Sequence, residues 1–230
     1  MADFIPDPLR ARLGDERAAR LEELLLTVER VLRRVYEMDA KDHEPDIGDN
    51  ANLFGQKIWH HGWFALEHEL EGWDEVAVTC QDHSFRIRIW DLTIAVYKVG
   101  DSESDSIYDV DFNGSATKKA YAKRNQAQLA LFSFDAFAGP EHEHAYELNG
   151  LWVAHFGNPR EQLVKLYLGA PSLDDSGRKQ WAWQRRIDMP GSGGGGLRQP
   201  VAPPSFDDLR EPELDLELRE DAEENAAGGE

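Results

Sequence analysis

Histidine side chains are the first candidates for chemistry in this sequence. His60, His61 and His68 lie in one predicted helix, and His142 and His144 flank a glutamate in a predicted loop. Helical zinc sites usually pair histidines four residues apart, as in His-Glu-x-x-His, because that spacing puts both imidazoles on one face. The three helical histidines lack this spacing, and His142 and His144 have no obvious third ligand nearby. We therefore predict no metal site.

Asp109, Asp111 and Lys118 suggest an alternative, a metal-dependent nuclease. Such an enzyme needs carboxylates to hold Mg²⁺ and a lysine to steady the attacking water. The two aspartates fall on a predicted short strand, Ile107 to Phe112, whereas Lys118 begins a helix several residues later. The lysine does not alternate with the acids on one strand, as this site would require. The aspartates are therefore better explained as residues on the solvent-exposed face of an edge strand. The nuclease stays an alternative hypothesis.

Nucleophilic catalysis and phosphate-loop chemistry also lack their signatures. Cys80 lies in an alternating strand pattern, with no helix N-terminus or adjacent base to lower its thiol pKa. There is no Gly-x-Ser-x-Gly elbow. The glycine run at Gly193–Gly196 is not followed by the Lys-Ser/Thr pair of a phosphate-binding loop. We therefore assign no catalytic residue and no cofactor, and we favour a protein that is not an enzyme.

Two groups of basic residues could bind an anion. Arg86 and Arg88 alternate on one predicted strand and so share a face, and Lys98 lies on the strand that follows. Lys119 and Lys123 lie one turn apart on a predicted helix. These groups could hold an anionic ligand or nucleic acid, or dock the chain's own acidic segment. Solvated faces flanked by acidic residues are the simpler explanation.

The C-terminal segment carries the sharper signal for binding. A glycine-rich spacer at Gly191–Gly196 predicts flexible coil, and the acidic residues that follow carry too little apolar mass to fold alone. Acid and leucine alternate strictly from Glu213 to Leu218, which is the period of a strand. Such a segment could add to the edge of a partner's sheet. The predicted partner-binding residues are Phe206, Leu209, Leu214, Leu216 and Leu218.

Charge and composition limit the function classes. The 230-residue chain has a formal net charge of -19, and eleven acids against two arginines give -9 between Asp207 and Glu230. A negative surface disfavours general nucleic-acid binding and favours cationic partners. Cys80, the only cysteine, excludes an intramolecular disulfide and fits a reducing compartment. With no secretory signal and no run of about 20 apolar residues, we expect a cytoplasmic protein without a membrane span.

Hydrophobic periodicity predicts which elements hold these residues. Apolar residues at three- and four-residue spacing predict a helix from about Asp15 to Met38. Those from Ala51 to Leu70 nearly surround their helix, which is typical of a buried central helix. Further predicted elements are strands at 76–80, 85–89, 92–99 and 107–112, a helix at 115–132, and strands at 151–156, 163–168 and near 181–187.

This order of elements favours an α+β fold in which N-terminal helices pack on a mostly antiparallel β-sheet. We predict an N-terminal arm at 1–14 and a single domain at 15–190, with its helical part at 15–72 and its sheet part at 73–190. A flexible Gly-rich linker and a disordered acidic tail are predicted at 191–230.

The stretch from Arg86 to Trp183 resembles the layout of uncharacterised bacterial proteins encoded near toxin–antitoxin or phage-defence genes. The likeness lies in the strand Ile94–Val99, the helix that ends at Gln128–Phe132, and the strands Leu151–His155 and Val164–Leu168. It implies an antitoxin-like or regulatory role, and it carries over no functional residue.

The sequence therefore predicts a non-enzymatic protein that binds another macromolecule. The preferred hypothesis is an antitoxin-like or adaptor component whose acidic tail orders on a partner protein with a basic or apolar surface. The alternative is a metal-dependent nuclease or a nucleic-acid-binding component of a toxin–antitoxin or phage-defence system.

Overall fold

The computed structural model describes residues 4–81, 84–110, 116–133, 148–174 and 178–187. The chain divides into two units, Met1–Ser192 and Gly193–Glu230. The second lies outside the described residues, so the account below concerns the first. Its helices are α1 (Asp7–Leu13), α2 (Asp15–Lys41), α3 (Ala51–Glu69) and α4 (Ala116–Ser133). Its strands are β1 (Val76–Gln81), β2 (Ser84–Ile89), β3 (Leu92–Gly100), β4 (Gly150–Asn158), β5 (Gln162–Leu173) and β6 (Lys179–Arg186).

The six strands form one sheet in sequence order, which confirms the predicted α+β class and the mostly antiparallel sheet. The one parallel pair in this sheet, β3 with β4, was not predicted. Two parallel neighbours need a crossover connection, because the chain must return to the end of the sheet where β3 began before β4 can start. The helix α4 lies in this connection.

Helices cover the sheet on both faces. Side chains alternate along each strand, so Ile87 and Ile94 pack towards α1, α2 and α3, whereas Ala95 and Trp152 belong to a second core beneath α4. The α4 helix packs on β4 and β5. It leaves part of β1 and β2 open on its side, where Ala77, Thr79 and Arg88 are exposed.

The N-terminal helices differ from their predictions in two respects. The helix predicted from Asp15 continues to Lys41, and α1 precedes it within the predicted arm, with buried Leu9 and Leu13. The prediction that α3 is buried all round is wrong. Its buried residues are Phe54, Ile58, Gly62 and Leu66, which are four apart and make one stripe, while Phe64 is 51% exposed.

The strand predicted at 107–112 is also wrong over its described part. Residues Ile107–Asp109 form a 3₁₀ helix, which the Ser106 hydroxyl caps by accepting the N–H of Tyr108 at 3.2 Å. Asp111 and Phe112 lie outside the described residues. Among the described helices, none is long and apolar enough to cross a membrane.

Candidate functional site

An open groove of about 1010 Å³ lies between α3 and the second half of β3. One wall is built from nine residues of α3 between Ala51 and His61, and the other from β3 residues Val96–Gly100, with Phe85 and His155 also in the lining. Its apolar lining includes Leu53 and Trp59 on α3, with the buried Phe85 and Val96 of the sheet behind them. We call this feature the α3–β3 groove.

The β3 wall is a strand edge. The register of β2 with β3 ends at the pair Arg86–Ala95, whereas β3 continues to Gly100 and is paired there only with β4 among the described strands. Side chains alternate between faces, so five consecutive lining residues mean that the backbone itself borders the groove. The N–H of Thr93 donates to Asn149 on the β4 side at 2.9 Å. By alternation over the regular part of β3, the N–H and C=O groups of Val96 and Lys98 point away from β4, towards the groove, and the register shift between Lys98 and Gly100 ends this alternation.

A buried carboxylate and a histidine lie behind the α3 wall. Asp39 is 2% exposed, and its Oδ1 is 2.7 Å from His61 Nδ1. The second oxygen of Asp39 is buried and has no hydrogen-bond partner among the described residues. Such a pair can orient an imidazole for proton transfer. The described lining, however, contains no serine, threonine or cysteine that the imidazole could activate.

The cations that line the groove are already compensated. Lys57 donates to Asp49 at 2.8 Å, and this hydrogen bond lowers the pKa of Asp49 and raises the pKa of Lys57. Lys98 forms an ion pair with Asp101. Affinity in the groove must therefore come from its apolar walls and from the strand edge, because the charges already have partners.

A buried polar pair supports the sheet beneath the groove. Tyr36 of α2 and His155 of β4 share a hydrogen bond of 3.0 Å between the hydroxyl and Nδ1. Burial lowers the pKa of His155 from its ordinary 6.5 to about 3, and the nearby Lys98 and Lys118 act in the same direction. Burial also raises the pKa of Tyr36. Both groups are therefore neutral near pH 7 and fix α2 to the sheet.

The predicted anion-binding residues lie on two faces of the sheet. Arg86 and Arg88 face the α4 side, whereas Lys98 lies in the groove on the opposite face. Lys119 and Lys123 are exposed on α4. The structure therefore separates Lys98 from the four others.

The other predicted sites are not assembled in the described residues. Phe206, Leu209, Leu214, Leu216 and Leu218 lie outside them, as do His142, His144 and Asp111. Asp109 lies in the 3₁₀ helix and Lys118 over the ring of Tyr97 at 5.1 Å. The described residues contain no group of three histidine, cysteine or acidic side chains that could hold a metal. Cys80 is half-buried, and burial raises its thiol pKa, which does not favour a nucleophile.

Comparisons with protein-family models, with curated proteins and with solved structures gave no match. The functional interpretation therefore depends on the geometry and charge of the described residues. Sequence reasoning missed the groove. The available signal was Gly55 within a helix, since glycine lowers helix stability and permits close approach.

Proposed function

We propose that this chain is a non-enzymatic binding protein that takes an extended segment of a partner protein into the α3–β3 groove. The observation that carries the proposal is the open edge of β3 beyond Ala95, facing a helical wall. An incoming strand that pairs with such an edge gains affinity from main-chain hydrogen bonds and specificity from alternate side chains.

The groove chemistry indicates what kind of segment would fit. An extended segment of about five residues would match the stretch Val96–Gly100 at about 3.3 Å per residue. Its inward side chains would meet Leu53 and Trp59, so alternate apolar residues are favoured. The compensated lysines make a small ionic ligand a poorer match.

We retain the role predicted from sequence as part of this proposal. The chain would act in the cytoplasm as an adaptor or as the neutralising, antitoxin-like component of a pair, and its free Cys80 thiol is compatible with a reducing compartment. The acidic–leucine segment around Leu214–Leu218 would make a second contact with the same partner protein.

The test narrows the groove by one side chain. A Cβ at Gly55 would meet only Lys98 Cδ, at 3.9 Å, so Gly55→Leu adds bulk to the groove without a clash at Cβ, and leucine favours the helix over glycine. Random peptides displayed on phage are selected on the full chain. We expect extended, alternately apolar peptides that bind Gly55→Leu about tenfold or more weakly, a loss of about 1.4 kcal/mol. Ala11→Leu, at an exposed position of α1, is the matched control and should bind them normally.

Two readouts connect binding with the strand edge and the tail. Bound peptide should slow hydrogen exchange at the amides of Val96 and Lys98. In source cells, photo-crosslinkers at Leu53 and Leu216 should attach to one and the same protein, and a crosslinker at Ala11 should not. The groove proposal is wrong if no peptide is selected or if the selected peptides bind Gly55→Leu as they bind the natural chain. Different crosslinked proteins at Leu53 and Leu216 would refute the second contact.

A further inference from the structure

Many cations on the helices form ion pairs, but a group of cations on the α4 side of the sheet has no ion-pair partner among the described residues. Examples of the pairs are Arg10–Glu22, Arg20–Glu75, Arg30–Glu69 and Lys57–Asp49. Among the described residues, no carboxylate lies within ion-pair distance of Arg86, Arg88, Lys119, Lys123 or Arg124. We call these five residues the basic corner. In a chain with a net charge of -19, such a group of cations without a described carboxylate partner differs from the surfaces of the other helices.

Two of these cations converge on one aromatic ring. The guanidinium carbons of Arg86 and Arg124 lie 5.6 and 5.7 Å from the centroid of the Tyr121 ring. The Nε of Arg86 is buried and has no hydrogen-bond partner among the described residues. Cation–π contacts hold both guanidinium groups beside this ring, and neither group has an ion-pair partner among the described residues, so both charges are available to an approaching anion.

These cations lie around a step in the surface, which is formed where α4 ends its cover of the sheet and β1 and β2 are exposed beside it. The α4 helix packs on β4 and β5, and β1 and β2 stay bare beside it, with Ala77, Thr79 and Arg88 exposed. Arg124 follows Tyr121 by three residues on the helix, so it borders this step, whereas Lys119 and Lys123 are exposed one turn apart on the outer face of α4. The cations are therefore spread along two elements instead of enclosing one point.

We propose that the basic corner binds single-stranded nucleic acid through its phosphates. Cations spread over a strand and a helix fit a polymer with one charge on every unit better than a single small anion, and arginine presents paired donors that match phosphate. The step between a helix and a flat sheet suits one strand better than a duplex. Tyr121 is only 4% exposed, so its ring is closed to base stacking. Binding should therefore be insensitive to base sequence.

This site is independent of the proposed peptide function, because the basic corner and the α3–β3 groove lie on opposite faces of the sheet. The acidic remainder of the chain repels nucleic acid, and that repulsion is screened beyond about 10 Å at 0.1 M salt. On single strands, each phosphate contact contributes about -0.7 to the slope of the logarithm of the association constant against the logarithm of the salt concentration. Four contacts would therefore give a slope of about -3.

The experiment measures fluorescence anisotropy of labelled oligo-uridylate and oligo-thymidylate of about 16 nucleotides on the full chain, between about 50 and 150 mM salt. We expect saturable binding of both oligonucleotides with the slope given above. Arg88→Gln and Lys123→Gln, both at exposed positions, should each weaken binding and reduce the slope by about 0.7. Arg160→Gln is the matched control, since Arg160 is exposed in the β4–β5 turn and has no carboxylate within ion-pair distance among the described residues.

Several outcomes would overturn the proposal. Absence of binding at low salt, or an equal loss in Arg160→Gln, would show that the basic corner is not a site. Displacement of the oligonucleotide by an equal charge of inorganic phosphate would indicate a small-anion site, and displacement by an equal charge of poly-glutamate would indicate an acidic peptide. Equal affinity for a duplex of the same length would refute the single-strand preference. Melting temperatures of Arg88→Gln and Lys123→Gln at or above that of the natural chain would show that the variants stay folded.

Discussion

The buried His155 should make this protein lose stability well above the pH at which carboxylates titrate. Its imidazole is 3% exposed and hydrogen-bonded to Tyr36, and burial lowers its pKa to about 3. In the unfolded chain the same histidine takes up a proton near its ordinary pKa of about 6.5. The unfolded state therefore binds more protons than the folded state between these two values, and stability falls as the pH falls through this window.

The size of the effect follows from the two pKa values. Each pH unit well inside the window costs about 1.4 kcal/mol, so the free energy of unfolding should drop by about 2 kcal/mol between pH 7 and pH 5. The carboxylates with lowered pKa values, Asp49, Glu75 and Asp105, also lose stabilisation on acidification. Their loss becomes large only below about pH 5, because an unperturbed carboxyl titrates near pH 4.

Urea unfolding followed by tryptophan fluorescence at pH 7, 6 and 5 measures this loss. The comparison is with His155→Asn, whose amide keeps a hydrogen-bonding group near Tyr36 and does not titrate, and with His155→Gln as a second replacement. All other histidines are common to the three chains, so the difference in slope isolates His155. We expect the natural chain to lose about 2 kcal/mol more than either variant. Parallel pH profiles for all three chains would refute a neutral, buried His155.

Two further predictions concern polar groups that fix α4 and α3. Asn125 is fully buried, and its amide donates to Gly150 O at 2.8 Å and to Pro171 O at 2.7 Å. Asn125→Ala leaves these two carbonyls without this donor, so it should lower the free energy of unfolding in urea by about 2–4 kcal/mol. A loss below about 1 kcal/mol would contradict this role. The Asn50 side chain accepts the N–H groups of Asn52 and Leu53 at 3.0 Å, so Asn50→Ala should lower the melting temperature by the equivalent of about 1 kcal/mol and Asn50→Asp should not.

The helices and strands could be predicted wherever one periodicity dominates. The stripe of α2 and the alternation of β1, β2 and β3 gave element bounds close to those observed, because one face of each is buried. Predictions failed where local chemistry decided the structure. Ser106 caps a 3₁₀ turn where apolar residues suggested a strand, and α3 exposes Phe64 although apolar residues nearly surround this helix in sequence.

The candidate sites were harder to predict because they depend on contacts between distant residues. The groove exists because β3 continues beyond the last residue that pairs with β2. A hydrophobic pattern predicts strands, but it does not predict which strand pairs with each edge. Arg86, Arg88 and Lys98 look equivalent in sequence, yet strand alternation puts Lys98 on the opposite face of the sheet. Membership of a face follows from register, and register is fixed by the whole sheet.

The basic corner shows the same dependence for charge. Asp91 lies only three residues after Arg88 in the sequence. In the fold, Asp91 instead accepts from Arg12, which is 79 residues away, at 2.5 Å. The N-terminal helix α1 positions Arg12 at the β2–β3 turn, where Arg12 also donates to Leu148 O at 3.3 Å. Arg88 is thereby left without this carboxylate, so the charge available for an anion depends on where α1 packs.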